Sequence, residues 1–72
     1  MAFTYQPLWE LLRKRKLSKA DLVRITGISK STVMRMGREE YVSLEVLDHI
    51  CIHLNCELSE IIERKTNKEE VG

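Results

Sequence analysis

The chain is expected to fold as an all-α domain of five short helices, the second and third joined by a tight turn. Three observations predict this. Apolar residues recur at i, i+3, i+4 and i+7 through most of the 72 residues. A serine stands just ahead of three of these runs, at Ser18, Ser29 and Ser43, where its hydroxyl can accept a hydrogen bond from a first-turn amide. Gly27 divides the stretch Leu17–Met36, because glycine alone reaches the left-handed conformation of a helix end without steric penalty.

The elements follow in order. Phe3 and Tyr5 alternate with small residues, which fits a short strand or an ordered arm. The preferred reading of residues 1–5 is a frayed terminus with one aromatic tucked onto the core. Helix 1 is expected to start at Pro7, because proline suits the first helical position, where its missing N–H is not needed. Leu8, Leu11 and Leu12 face the core, Trp9 lies beside them, and Tyr5 packs across the helix start. The helix ends in Arg13-Lys14-Arg15-Lys16, cations that either complement the negative end of the helix dipole or contact phosphate. Helix 2 covers about Lys19–Thr26 with Leu22, Val23 and Ile25 apolar. Helix 3 covers about Lys30–Met36, with Val33 and Met36 packed inward beside Ile28. Its other face carries Lys30, Ser31, Met34 and Arg35 as one stripe. Residues 37–42 form a loop in which Glu39 and Glu40 are solvated. Ser43 caps helix 4, whose stripe is Leu44, Leu47, Ile50, Cys51 and Leu54, and Asn55 or Cys56 ends it. A last helix over about Leu58–Arg64 closes the core with Leu58, Ile61 and Ile62. The domain is expected to span 1–64, and 65–72 to be a flexible polar tail.

Size and composition exclude several functions. Seventy-two residues make one small domain, with little room for an enzyme-sized cleft, so no enzymatic activity is expected. No apolar run approaches the ~20 residues of a membrane span, and the N-terminus lacks the pattern of a signal peptide. Two cysteines outside a CxxC spacing do not make a disulfide scaffold, which points to a reduced, cytoplasmic setting. His49, Cys51, His53 and Cys56 resemble a metal cluster on paper. On a helix, however, His49 and His53 share a face from which Cys51 points away, so structural cysteines and solvent-facing histidines are expected, with no metal and no cofactor.

A net charge of +1 conceals a polarity. Residues 1–38 carry nine Lys/Arg against two carboxylates, a net +7. Residues 39–72 carry three against nine, a net −6. The basic half coincides with the helix-turn-helix outline, a pair of helices around a glycine-containing turn. That coincidence suits a domain that lays one face on a polyanion.

Five helices with the second and third forming the turn resemble the lambda-repressor-like fold of the Cro/repressor (XRE) family. The resemblance rests on apolar Leu22, Ile28, Val33 and Met36 around Gly27, on the string Gly-Ile-Ser-x-x-Thr-Val at Gly27–Val33, and on YVSLEVLDHICIHLNCELSEIIE after it. It covers about Leu8–Glu63. One position departs: the family usually has alanine where this chain has Val23, and the two added methyls should open the crossing of helices 2 and 3 slightly.

The resemblance implies a sequence-specific DNA-binding transcriptional regulator, most simply a repressor, whose helix 3 lies in the major groove. Lys30, Ser31, Met34 and Arg35 would read bases. Arg35 can give two parallel hydrogen bonds to guanine O6 and N7, and Met34 can cover a thymine methyl or serve a protein contact. Lys19, Ser29, Thr32 and Arg38 would hold phosphates, Lys19 at the family's backbone-contact position. The expected partner is double-stranded DNA, bound as a homodimer on an operator of two half-sites, with no membrane and no small-molecule effector. A rival reading is an antitoxin-like or adaptor module that works through its acidic half, with Glu57, Glu60 and Glu63.

Overall fold

The structure, a computed structural model describing residues 2–65, has four α-helices rather than five and is not purely helical. The order is β1 (Phe3–Thr4), α1 (Gln6–Lys14), α2 (Lys19–Thr26), α3 (Lys30–Gly37), α4 (Leu44–Leu54), a single 3₁₀ turn (Leu58–Glu60) and β2 (Glu63–Arg64). The expected fifth helix over 58–64 is therefore corrected to a turn and a strand. Two things favour this. A run so short holds few internal hydrogen bonds to offset its nucleation cost, and an extended partner is at hand. β2 pairs antiparallel with β1, Phe3 opposite Arg64 and Thr4 opposite Glu63, and the Lys65 amide donates to the Ala2 carbonyl at 2.7 Å. The N-terminus is thus a paired strand, with Tyr5 the tucked aromatic, 1% exposed. Of the tail expected from residue 65, all but Lys65 lies outside the described residues.

The three serine caps form. Ser18, Ser29 and Ser43 each accept from the amide three residues on, those of Asp21, Thr32 and Val46. At Ser18 the bond is reciprocal, since the Asp21 carboxylate accepts from the Ser18 amide at 2.8 Å. That amide, then Arg24 and the Ser18 hydroxyl, hold the Asp21 carboxyl at about 2, below its ordinary 3.8. A folded-state value below the unfolded one stabilises the domain above pH 3.8 and is lost as the pH falls toward 2. An Asp21→Asn variant should therefore melt below the wild type at neutral pH, with the gap closing near pH 2. Equal melting temperatures at pH 7 would contradict this account of the cap.

Helix ends are made by left-handed residues. Gly27 takes φ +75°, and the buried Thr26 stitches the turn, its hydroxyl donating to the Leu22 carbonyl at 2.6 Å and accepting from the Ile28 amide at 3.3 Å. Asn55 (φ +52°) ends α4, and the Cys56 amide donates to the Cys51 carbonyl at 3.0 Å. This closure brings residues 51 and 56 together as its apolar pair, which explains both half-buried cysteines. Burial pushes the Cys56 thiol up to about 11 and raises that of Cys51.

Tyr5, Leu8, Leu12, Leu22, Val33, Met36, Leu47, Ile50, Leu54 and Ile61 form the core. Leu11, Cys51 and Ile62 pack against its edge. Two expected core residues are corrected: Leu44 is 75% exposed and Leu58 is 46% exposed. Each opens its element, with no neighbouring turn behind it to pack against. Arg15 takes a role outside both readings of the cation run, because its guanidinium donates to the carbonyl of Leu54 at the end of α4 and so ties α1 to α4.

Candidate nucleic-acid interface

α2 and α3 pack around the Gly27 turn and leave a groove of about 550 Å³ on their outer side. Ala20, Val23, Val33 and Met34 line it with apolar surface, and Lys19, Lys30 and Arg38 add three cations. Val23, the residue where the family favours alanine, is half-buried on this lining. Met34 is outside the core, 54% exposed.

The sequence-predicted residues fall into four groups. Lys30, Ser31 and Met34 stand exposed on the outer stripe of α3, and among the described residues Lys30 has no ion pair. Lys19 stands at the start of α2 with its ammonium 4.6 Å from the centre of the Trp9 ring. That is cation–π distance, so the cation is held in place while its residue remains exposed. A Cβ built on Gly37 would come within 3.4 Å of the same ammonium, so Lys19 reaches from α2 to the end of α3. Ser29 and Thr32 are joined at the start of α3: the Ser29 hydroxyl lies 2.8 Å from that of Thr32 and accepts from the Thr32 amide at 3.1 Å. Their polar atoms gather at the positive end of the α3 dipole, where backbone amides favour an anion.

Arg35 and Arg38 differ from the others because the chain itself engages them. Arg35 Nη2 donates to the Tyr41 carbonyl at 2.8 Å and its Nε lies 3.5 Å from Glu40 Oε1. Arg38 Nε lies 2.9 Å from Glu40 Oε2. Glu39 and Glu40, read from sequence as a solvated pair, are partly exposed but anchored. Glu39 accepts from the Thr4 hydroxyl and pairs with Lys65 Nζ at 2.7 Å. Lys65, then Thr4, lower the Glu39 carboxyl, while Arg38, followed by Arg35, lowers that of Glu40. Sequence reasoning missed Glu40 as a partner of Arg35. The available signal was its five-residue spacing from Arg35 across a helix end.

Away from this face, the His49 and His53 rings lie 4.3 Å apart, with His53 Nδ1 2.9 Å from the His49 carbonyl oxygen. Among the described residues, no three His, Cys, Asp or Glu side chains gather as a metal-binding group, and no helix is long and apolar enough to cross a membrane.

Residues 7–67 match the family model of the Cro/C1-type HTH DNA-binding domain. Among solved structures, the crystal structure of the transcriptional regulator VanUg, Form II, is similar, with 42% sequence identity and a TM-score of 0.85 over 92% of this chain and 88% of that one. No curated protein matches the chain.

Proposed function

The chain belongs to the Cro/C1-type helix-turn-helix DNA-binding domains and is a DNA-binding transcriptional regulator; we propose that it acts as a repressor, by occupying an operator that α3 reads in the major groove. The observation that carries this reading is the exposed stripe Lys30, Ser31 and Met34, set beside the cations of Lys19 and Arg38 around one groove. In the bound state α3 enters the groove N-terminus first. Lys30 and Ser31 then meet base edges, Met34 covers a thymine methyl, and Arg35 turns to a guanine. Lys19 and Arg38 take phosphates on either side, and the Ser29–Thr32 end of α3 takes another through its amides.

Two copies on one operator fit the size of the reading element. α3 has eight residues, so it is about 12 Å long at 1.5 Å per residue. That is the reach of three or four base pairs at ~3.4 Å each, too few to single out a site in a genome. A homodimer with half-sites about one helical turn apart doubles the read.

Selection of bound duplexes from a random pool tests the reading. The expected product is a motif of two related half-sites spaced by about 10 base pairs. Affinity should fall with salt at a log–log slope of about −0.9 per phosphate neutralised. A pool that does not converge, or a flat salt response, would overturn it.

A further inference from the structure

The loop after α3 folds back on that helix. Glu39 takes the left-handed conformation (φ +58°), and the Glu40 amide donates to the Arg35 carbonyl at 3.0 Å. Such a closure sets the residue beyond the helix end against the one five positions before it, so Glu40 meets Arg35. The Glu40 backbone is held as well, because the hydroxyl of the buried Tyr5 donates to its carbonyl at 2.8 Å. Its carboxylate then lies between two guanidiniums, 2.9 Å from Arg38 Nε and 3.5 Å from Arg35 Nε. With Nε facing Glu40 and Nη2 on the Tyr41 carbonyl, the Nε/Nη2 edge of Arg35 is turned toward the chain itself and is not free to meet a guanine by two parallel bonds.

We propose that Glu40 is a specificity-determining residue of the interface, a carboxylate that takes the place of a DNA phosphate and withholds Arg35 and Arg38 from sequences that offer nothing better. The proposal rests on α3 being the DNA-reading helix. On an arbitrary duplex, an arginine that leaves Glu40 for a phosphate exchanges one anion for another. The carboxylate it leaves behind then faces the phosphate backbone, an arrangement that discriminates through repulsion. On a matching sequence the same move delivers Arg35 to guanine O6 and N7, a gain no phosphate supplies.

Glu40→Gln is the test. Gln keeps the shape, the side chain is about half exposed, and the tie to Tyr5 uses only the backbone, so the variant should melt as the wild type does. Fluorescence anisotropy would be read with two 30-base-pair duplexes, one of arbitrary sequence and one carrying the selected motif. Glu40→Gln should bind the arbitrary duplex about three- to tenfold more tightly at low salt, with a salt slope steeper by about 0.9 for each phosphate gained. The ratio of selected to arbitrary affinity should narrow. The gain should vanish in a background of Arg35→Ala with Arg38→Ala, which a general charge effect would not do. Unchanged or weaker binding by Glu40→Gln, or a gain that persists without the two arginines, would overturn the proposal. A wild-type protein that binds both duplexes while Glu40→Gln changes nothing defeats this proposal alone. A wild type that binds neither defeats the reading of α3, and this proposal with it.

Discussion

Replacing Lys30 and Arg35 together by alanine is expected to remove the preference for the selected operator while leaving the fold in place. Both side chains are exposed and absent from the core, so the thermal melt should move little. A good bidentate contact is worth about 1–3 kcal/mol of discrimination against the wrong base. Loss of Arg35 alone should therefore reduce the ratio of selected to arbitrary affinity by about fivefold to a hundredfold at ~1.4 kcal/mol per factor of ten. Lys30 adds a further contribution. Affinity for arbitrary duplex should fall much less, since Lys19 remains and Glu40 already withholds Arg35 from such sequences. Competition titrations with the two duplexes read the ratio directly, and a double variant with wild-type selectivity would remove α3 from the recognition surface.

Leu22→Ala is expected to have the largest effect on stability. Leu22 is fully buried and its helix carries the turn that aims α3. Truncating a buried leucine to alanine costs about 2–5 kcal/mol. A domain of this size has about 4–11 kcal/mol in total at 0.05–0.15 kcal/mol per residue. At roughly 4–8 °C per kcal/mol for such a domain, the melting temperature should drop by more than about 10 °C. DNA binding should fail with it on warming, unlike in Lys30→Ala with Arg35→Ala, where binding loses selectivity at every temperature. A change of only a few degrees by circular dichroism would show that the core closes over the missing side chain.

The parts of this molecule legible in its sequence are those specified locally. Ser18, Ser29 and Ser43 announce three helices because a cap is a short-range bond, and Gly27 announces the turn because its φ is a property of one residue. Leu22, Val33, Met36 and Ile50 follow from helical period alone. The segment after Cys56 has the pattern of a helix because Leu58, Ile61 and Ile62 keep that period. Whether such a run stays helical depends on a partner about sixty residues away, which no local pattern encodes. Leu44 shows the same limit, since period places a residue on a face but cannot say whether anything covers its first turn. Within the interface, the exposure of Lys30, Ser31 and Met34 was legible. The engagement of Arg35 was not, because it depends on the left-handed turn at Glu39, where no glycine marks the change of direction.

The pairing of β1 with β2 has a consequence for the order of assembly. Joining residues 3 and 64 closes a loop almost as long as the domain, the costliest closure in the chain, since that cost grows with the logarithm of loop length. The four ladder residues recover little of it unless α1 and α4 have already brought the termini together. The clasp is therefore expected to form late and open early, as the least protected unit in hydrogen exchange. Thr4, Tyr5 and Lys65 all reach from this clasp to Glu39 and Glu40. Each transient opening of the chain ends would then slacken the loop that restrains Arg35, so local unfolding at the termini would set how often α3 shows its full set of side chains.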